Sequence, residues 1–131
     1  MITKIINTTD KNRCNCVLYA RSQGLIFPTG MWTIEDKKKI IDSQKPKVGC
    51  LVIMNVGIWY YRNGIRVFSG HLGIVEKISY TTKKCACCGA ILTTSAISYL
   101  TIRDANYVKC KVTRRSGTPV ELKVLGYRLA V

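Results

Sequence analysis

The chain from residue 47 onwards is dominated by short runs of β-branched and aromatic residues, separated by turn residues. These runs include KVGCLVIMNV, IWYYRNGIRVF, GHLGIVEKISY and VELKVLGYRLAV. Asn63-Gly64 lies between two apolar-rich flanks and favours the two-residue turn of a β-hairpin, because both residues tolerate positive φ. Strand runs of this kind, linked by tight turns, predict an antiparallel sheet.

Two helices are predicted in the part of the chain that precedes these strands. The segment CVLYARSQ begins at Cys16 and reads as a helix ended by Gly24. Thr33 can cap a second helix over residues 34–42, whose acidic first turn and following lysines suit the helix dipole. We therefore expect a single α+β domain over residues 1–131, with N-terminal helices packed against an antiparallel β-sheet.

The net charge is +14, from 21 Lys and Arg against 7 Asp and Glu. This excess implies an anionic partner: nucleic acid, a wall polymer or lipid head groups. The lysine run 37–39 contributes to it and is interpreted as a solvated helix face. The N-terminal residues lack the features of a signal peptide, and no stretch approaches the roughly 20 apolar residues of a membrane span. Synthesis in the cytoplasm, with reduced thiols, is therefore expected.

Cys16 and His71 are the residues whose surroundings point to chemistry. Cys16 is predicted to begin a helix, where unpaired backbone N–H groups lower the pKa of a thiol and can bind an oxyanion. His71 is the only histidine, and it is predicted to begin a strand directly after Gly70. A thiol and an imidazole in these positions suit nucleophilic catalysis.

A third group should orient the imidazole of His71, and Glu76, Asp104 and Asn106 are the candidates. Side chains alternate between the two faces along a strand. Asp104 and Asn106 therefore share a face, whereas Glu76 lies on the face opposite to His71. We expect Asp104 or Asn106 to orient the imidazole and Glu76 to be a surface charge.

Five blocks occur in a recognisable order from about Asn12 to Arg128. They are NCVLYAR, PKVGCLVIM, GHLGIVEKI, LTIRDANY and VLGYRLA. Together they resemble CHAP domains, the cysteine, histidine-dependent amidohydrolases/peptidases that cleave peptidoglycan. The first and third blocks are fairly specific in combination. The resemblance implies a papain-like fold and a peptidoglycan hydrolase, an amidase or an endopeptidase, such as a phage endolysin or virion-associated lysin.

The resemblance also implies the roles of individual residues. Cys16 is the nucleophile and His71 the general base and acid, while Asp104 and Asn106 occupy the positions where the family usually has Glu-x-Asn. The thiolate attacks an amide carbonyl, His71 protonates the leaving amine, and water then releases the acyl-enzyme. Neither a metal nor another cofactor is needed.

The implied partner is peptidoglycan, with the positive charge directing a monomeric enzyme to anionic wall polymers or a membrane surface. Such an enzyme acts on the wall after release, after injection or as part of a phage particle. The backbone N–H of Cys16 and a donor near Asn15 are expected to hold the oxyanion. Gly70 would let a substrate backbone approach closely, and Trp32 and Trp59 either line the substrate groove or belong to the core.

The other cysteines have several readings. Cys85, Cys87, Cys88 and Cys110 could form a four-thiolate zinc site, or the loop KKCACCGA could simply be reduced or redox-sensitive. Cys14 is expected in the loop before Cys16, close enough to form a disulfide with it on oxidation.

Two functions of other classes compete with hydrolysis. The charge also suits a nucleic-acid-binding protein, although the chain has no recognised nucleic-acid motif and no interleaving of aromatic and basic residues, so no specific nucleic acid is expected. An inactive domain of the same fold could serve as a structural component of a phage particle.

Overall fold

The computed structural model of the protein describes residues 2–6, 8, 10–28, 30–106 and 110–129. Of these residues, 49% lie in strands and 10% in helices. The elements are, in chain order, β1 (Ile2–Ile6), α1 (Cys16–Ser22), α2 (Ile34–Lys38), β2 (Leu51–Met54), β3 (Trp59–Arg62), β4 (Ile65–Phe68), β5 (His71–Lys84), β6 (Ile91–Asn106), β7 (Lys111–Gly117) and β8 (Val124–Arg128).

Within the described ranges, six strands form one antiparallel sheet in the order β1-β7-β6-β5-β2-β8. The long strands β5 and β6 lie next to each other near its middle. The neighbouring strand β2 pairs with the beginning of β5, where Met54 is opposite His71. Strand β7 pairs with the end of β6, where Thr113 is opposite Asp104. His71 and Asp104 are therefore held on adjacent strands.

The prediction of an α+β, papain-like fold with N-terminal helices is wrong, because the protein is mostly β. Strand β1 precedes both helices and joins the sheet beside β7. The second helix ends at Lys38 instead of continuing to residue 42. The residues that follow the helix pair with the sheet, since the backbone N–H groups of Asp42 and Ser43 donate to the carbonyl of Tyr127 in β8.

The predicted hairpin at Asn63-Gly64 is confirmed. It joins β3 and β4, and both of its turn residues have positive φ, 52° at Asn63 and 76° at Gly64. This combination matches the right-handed twist of the flanking strands, which is why Asn-Gly is favoured there. The hairpin lies between β2 and β5 in the chain and overhangs one end of the sheet's central strands.

The main sheet buries apolar side chains on both faces. The helices pack over one face, where Val17 and Ala20 of α1 meet Leu51, Ile53 and Leu72. A second cluster combines residues of β2, β5, β6 and β8 with two residues outside the strands: Cys50, Val52, Met54, Val75, Leu100, Ile102, Leu122 and Tyr127. Helix α1 is thus fixed to the sheet at the end where β5 begins. None of the helices in the described residues is long and apolar enough to cross a membrane.

Candidate active site

Cys16 is the first residue of α1. The side chain of Asn15 caps this helix, its Oδ1 accepting hydrogen bonds from the backbone N–H of Val17 (2.9 Å) and Leu18 (3.1 Å). Val17 is buried in the core under the helix. The cap and the buried face together fix the first turn of the helix, so Cys16 is held on structured backbone next to the sheet.

His71 is the first residue of β5 and is buried. Gly70, directly before it, has a φ of 63°, and a Cβ at this position would overlap the side chain of Ile34 in α2. The glycine is therefore required by its backbone conformation and by the close packing of α2. It also borders the cleft described below.

The imidazole of His71 is oriented by Asp104. Its Nε2 lies 2.5 Å from Oδ2 of Asp104, whose side chain is completely buried. The other carboxylate oxygen accepts a hydrogen bond of 2.5 Å from the Thr113 hydroxyl, and the guanidinium of Arg115 lies 3.4 Å from Oδ2. Because Nε2 is engaged, Nδ1 is the ring nitrogen left for the thiol of Cys16, with which the imidazole also interacts.

The environment of Cys16 favours a thiolate. Burial alone would raise the pKa of the thiol. The charge and hydrogen bond of His71 and the charge of Lys37 outweigh burial, so that the pKa of Cys16 is lowered. A lowered pKa increases the fraction of thiolate, the form that attacks a carbonyl.

The environment of His71 favours the matching cation. Burial would lower the pKa of the imidazole, but the neighbouring Cys16 thiolate and the Asp104 carboxylate raise it to about 10. The pKa of Asp104 is lowered although burial opposes this, mainly because His71 and also Arg115 and Thr113 stabilise the carboxylate. These shifts favour a thiolate at Cys16, an imidazolium at His71 and a carboxylate at Asp104.

Lys37 is a component of the site that sequence reasoning placed on a solvated helix face. It is only 2% exposed, and its Nζ donates to the backbone carbonyls of Met31 (2.6 Å) and Ser69 (2.7 Å). Burial lowers the pKa of Lys37, and the neighbouring Cys16 and Asp36 partly offset this. A lysine run at the end of a short helix gives no sign that one of its members turns inward.

Replacing Lys37 by methionine is expected to lower the free energy of unfolding by about 1–3 kcal/mol, because the carbonyls of Met31 and Ser69 lose their buried donor. Urea unfolding measures this change. The matched control is Lys38→Met. The Lys38 side chain is 47% exposed, and a surface substitution of this kind is expected to stay within about 0.5 kcal/mol. Equal stability of the two variants would contradict the structural role of Lys37.

The thiol and the imidazole lie in a cleft of about 620 Å³ that runs between α1, α2 and the β3–β4 hairpin. Asn15, Trp32, Gly70 and Asn106 line it, in agreement with their predicted proximity to the site. Its walls combine aromatic, aliphatic and basic side chains: Trp32, Tyr60, Val56, Ile58, Lys37, Arg62 and Arg115. The cleft therefore places apolar and cationic side chains around the thiol and the imidazole.

Trp59 is not brought into this cleft with the other predicted residues. Alternation along β3 points Tyr60 and Arg62 toward the cleft. Trp59 lies on the opposite face, where its ring contacts Phe68 and the guanidinium of Arg66. The Tyr60 hydroxyl donates to the carbonyl of Trp32 (2.5 Å), which ties the hairpin to the segment before α2.

Glu76 lies away from His71, as the alternation of β5 predicts. It is partly buried rather than a solvated surface charge, since its carboxylate pairs with Arg103 (3.0 Å) on the neighbouring strand β6 and with Arg114 (2.5 Å) on β7, the strand beyond it. The Glu76 carboxylate therefore forms ion pairs across the sheet, and Asp104 is the carboxylate that contacts His71.

Cys14 and Cys110 form a disulfide. This pairing removes Cys110 from the predicted four-thiolate zinc set and gives Cys14 a partner other than Cys16, so both expectations are corrected. The bond connects the loop before α1 to the start of β7. Cys16, Cys50, Cys85, Cys87 and Cys88 are free thiols.

Comparison with protein-family models, with curated proteins and with solved structures finds no match to this chain.

Proposed function

We propose that this protein is a cysteine-dependent amidohydrolase that cleaves amide bonds of peptidoglycan. The observation that carries the proposal is the chain of contacts from the Cys16 thiol through His71 to the buried carboxylate of Asp104. A thiol, an imidazole and an orienting carboxylate in this order are the elements of nucleophilic acyl transfer. The proposal concerns the chemistry of this site and does not need a papain-like fold.

In the first half of the reaction, the Cys16 thiolate attacks the carbonyl carbon of the amide. The carbonyl oxygen becomes an oxyanion, and its donors are the backbone N–H of Cys16, the Asn15 side-chain amide and the Lys37 ammonium, all from residues that line the cleft. Lys37 has three N–H groups, of which two serve Met31 and Ser69. Asn15 uses Oδ1 for its cap, so its NH₂ is the end that can donate. His71 gives its proton to the leaving amine, and a thioester remains.

In the second half, the neutral His71 removes a proton from water while the water oxygen attacks the thioester carbon. The bond from this carbon to sulfur breaks, and the product leaves as a carboxylic acid. The thiolate and the imidazolium are thereby restored. Asp104 keeps the imidazole in one orientation and stabilises its charge in both halves.

Two features support peptidoglycan as the substrate. The blocks around Cys16 and His71 resemble those of CHAP domains, which cleave this polymer. The cleft adds cations at Lys37, Arg62 and Arg115 beside apolar walls, a combination that suits a stem peptide carrying carboxylates and short aliphatic side chains. The net charge of +14 would draw the enzyme to anionic wall polymers, as in a phage endolysin or virion-associated lysin.

The direct test is digestion of purified sacculi followed by mass spectrometry of the soluble fragments. We expect fragments that carry one new amino group and one new carboxyl group, with the glycosidic bonds intact. The position of the new amino group then identifies the bond that is cut. A sample pretreated with iodoacetamide serves as the control, since alkylation removes the nucleophile. Release of the same fragments by the alkylated protein, or of none by the untreated protein, would contradict the proposal.

A further inference from the structure

The tip of the β5–β6 hairpin brings three cysteines together. Cys85, Cys87 and Cys88 are free thiols whose sulfur atoms all lie within 4.8 Å of one another, and those of Cys85 and Cys87 are 2.8 Å apart. We propose that these three thiolates bind one Zn²⁺ ion, which fastens the end of the hairpin. The proposal does not depend on the hydrolytic function.

The backbone of the tip is folded in a way that presents the sulfur atoms to one point. The N–H of Cys85 donates to the carbonyl of Ala90 (2.8 Å), and the N–H of Gly89 donates to the carbonyl of Cys85 (2.9 Å). Gly89 has a φ of 73°, a conformation that side chains rarely adopt. The turn therefore has defined hydrogen bonds before any metal is added, and the thiols are gathered by this backbone.

The spacing and hydrogen bonding of these cysteines suit zinc. Cys85 and Cys88 are in the Cys-x₂-Cys arrangement common in structural zinc sites, with Gly89 following. The sulfur atoms of Cys85 and Cys87 are already in hydrogen-bond contact with each other. A zinc ion at its usual ~2.3 Å from sulfur needs ligand sulfurs ~3.8 Å apart. The three sulfur atoms lie within 4.8 Å of one another. Those of Cys85 and Cys87, now 2.8 Å apart, would separate by about 1 Å when the ion binds.

The fourth ligand would be water. Cys110, the remaining member of the predicted zinc set, is joined to Cys14. The site is exposed, since Cys87 and Cys88 face solvent. It also lies on the order of 40 Å from His71, at the other end of β5. A role in the chemistry at Cys16 is therefore not expected, and the contribution of the metal is structural.

The outer part of the β5–β6 hairpin has little to stabilise it besides the pairing of its own two strands. Strand β2 pairs with β5 only as far as Ile74, and β7 pairs with β6 only from Leu100 onwards. Beyond these points the two strands pair with each other alone within the described residues, and Ile91 and Leu92 near the tip are exposed. A two-stranded ribbon is marginally stable in water, so a metal bound at its tip would hold its strands in register.

The test is titration of the full-length protein with Co²⁺ under argon, followed by displacement with Zn²⁺. We expect a thiolate-to-cobalt charge-transfer band that saturates at one equivalent of Co²⁺ and disappears with one equivalent of Zn²⁺. Amide exchange of residues 80–84 and 91–97 should slow when Zn²⁺ is present. Absence of the band, or a disulfide between two tip cysteines in anaerobically purified protein, would overturn the proposal.

Variants assign the ligands. Cys87→Ser and Cys88→Ser replace exposed side chains, so both proteins should fold. Each should weaken Co²⁺ binding by more than roughly 10–100-fold, the loss typical of removing a residue that only hydrogen bonds to a ligand. Cys50→Ala is the matched control, because it removes a free cysteine from the core, and it should leave the band unchanged. A band that persists when all three tip cysteines are replaced by serine would also overturn the assignment.

Discussion

The Cys16→Ala protein is expected to lose peptidoglycan hydrolysis by about 10⁴-fold or more, because the nucleophile is the group without which no acyl-enzyme forms. What remains would come from substrate binding and the oxyanion donors alone. The measurement is the rate at which new amino groups appear in digested sacculi. Since Cys16 is at the first position of α1 and alanine is a good helix former, the variant should fold, and circular dichroism checks this.

Cys50→Ala is the matched control for this loss. Cys50 is likewise a free cysteine, but it is buried in the apolar cluster on the other side of the sheet. Removal of its sulfur should lower stability through a small cavity and leave the rate per folded molecule near that of the wild type. If both cysteine variants lose activity equally, the loss reflects folding. If neither variant does, the nucleophile is not Cys16.

The parts of the fold that follow local rules could be predicted from the sequence. Asn63-Gly64 specifies its hairpin because two successive positive φ values have few other solutions. Thr33 begins α2 because its hydroxyl and the Asp36 carboxylate satisfy each other's backbone N–H groups in a capping box. Such signals lie within a few residues and do not depend on the rest of the molecule.

The balance of helix and strand could not be predicted in the same way. Residues 34–42 have a helical pattern, but the folded state is stabilised more by other contacts. Lys37 points inward to backbone carbonyls, and Asp42 and Ser43 pair with Tyr127 of the sheet. Tertiary contacts of this kind override propensity in short segments. The length of β5 and β6 depends equally on partners elsewhere in the chain, so the resemblance to an α+β family predicted too large a share of helix.

The candidate site also has parts that local rules predict and parts that depend on contacts between distant residues. Alternation along β5 and β6 was enough to select Asp104 and Asn106 as candidates and to leave Glu76 aside, because it is a local rule. Only the structure shows that Asp104 is the one that contacts His71. Thr113 and Arg115 support Asp104 from β7, and finding them requires the register that sets Thr113 opposite Asp104. The Cys14–Cys110 disulfide depends on the distant pairing of two loops, which the number and spacing of cysteines do not specify.

The contribution of Asp104 predicts a second large effect. Asp104→Asn keeps the shape of the side chain and removes its charge, and it is expected to lower the hydrolysis rate by about 10³–10⁴-fold. The reason is that an amide no longer stabilises the imidazolium or fixes its orientation. Glu76→Gln is the matched control, since this carboxylate is also on the sheet but pairs with Arg103 and Arg114 instead of with His71.

A pH profile distinguishes this positioning role from a general loss of stability. Without the Asp104 charge the pKa of His71 should fall, and that of Cys16 should rise toward the usual value for a thiol. An ordinary thiol is only roughly 0.3% ionised at pH 6, whereas a larger fraction of the wild-type Cys16 should be ionised there because its pKa is lowered. Alkylation of the peptide containing Cys16 should therefore slow strongly in Asp104→Asn at pH 6 and little at pH 9. An unchanged ratio of the two rates would show that Asp104 does not act through His71.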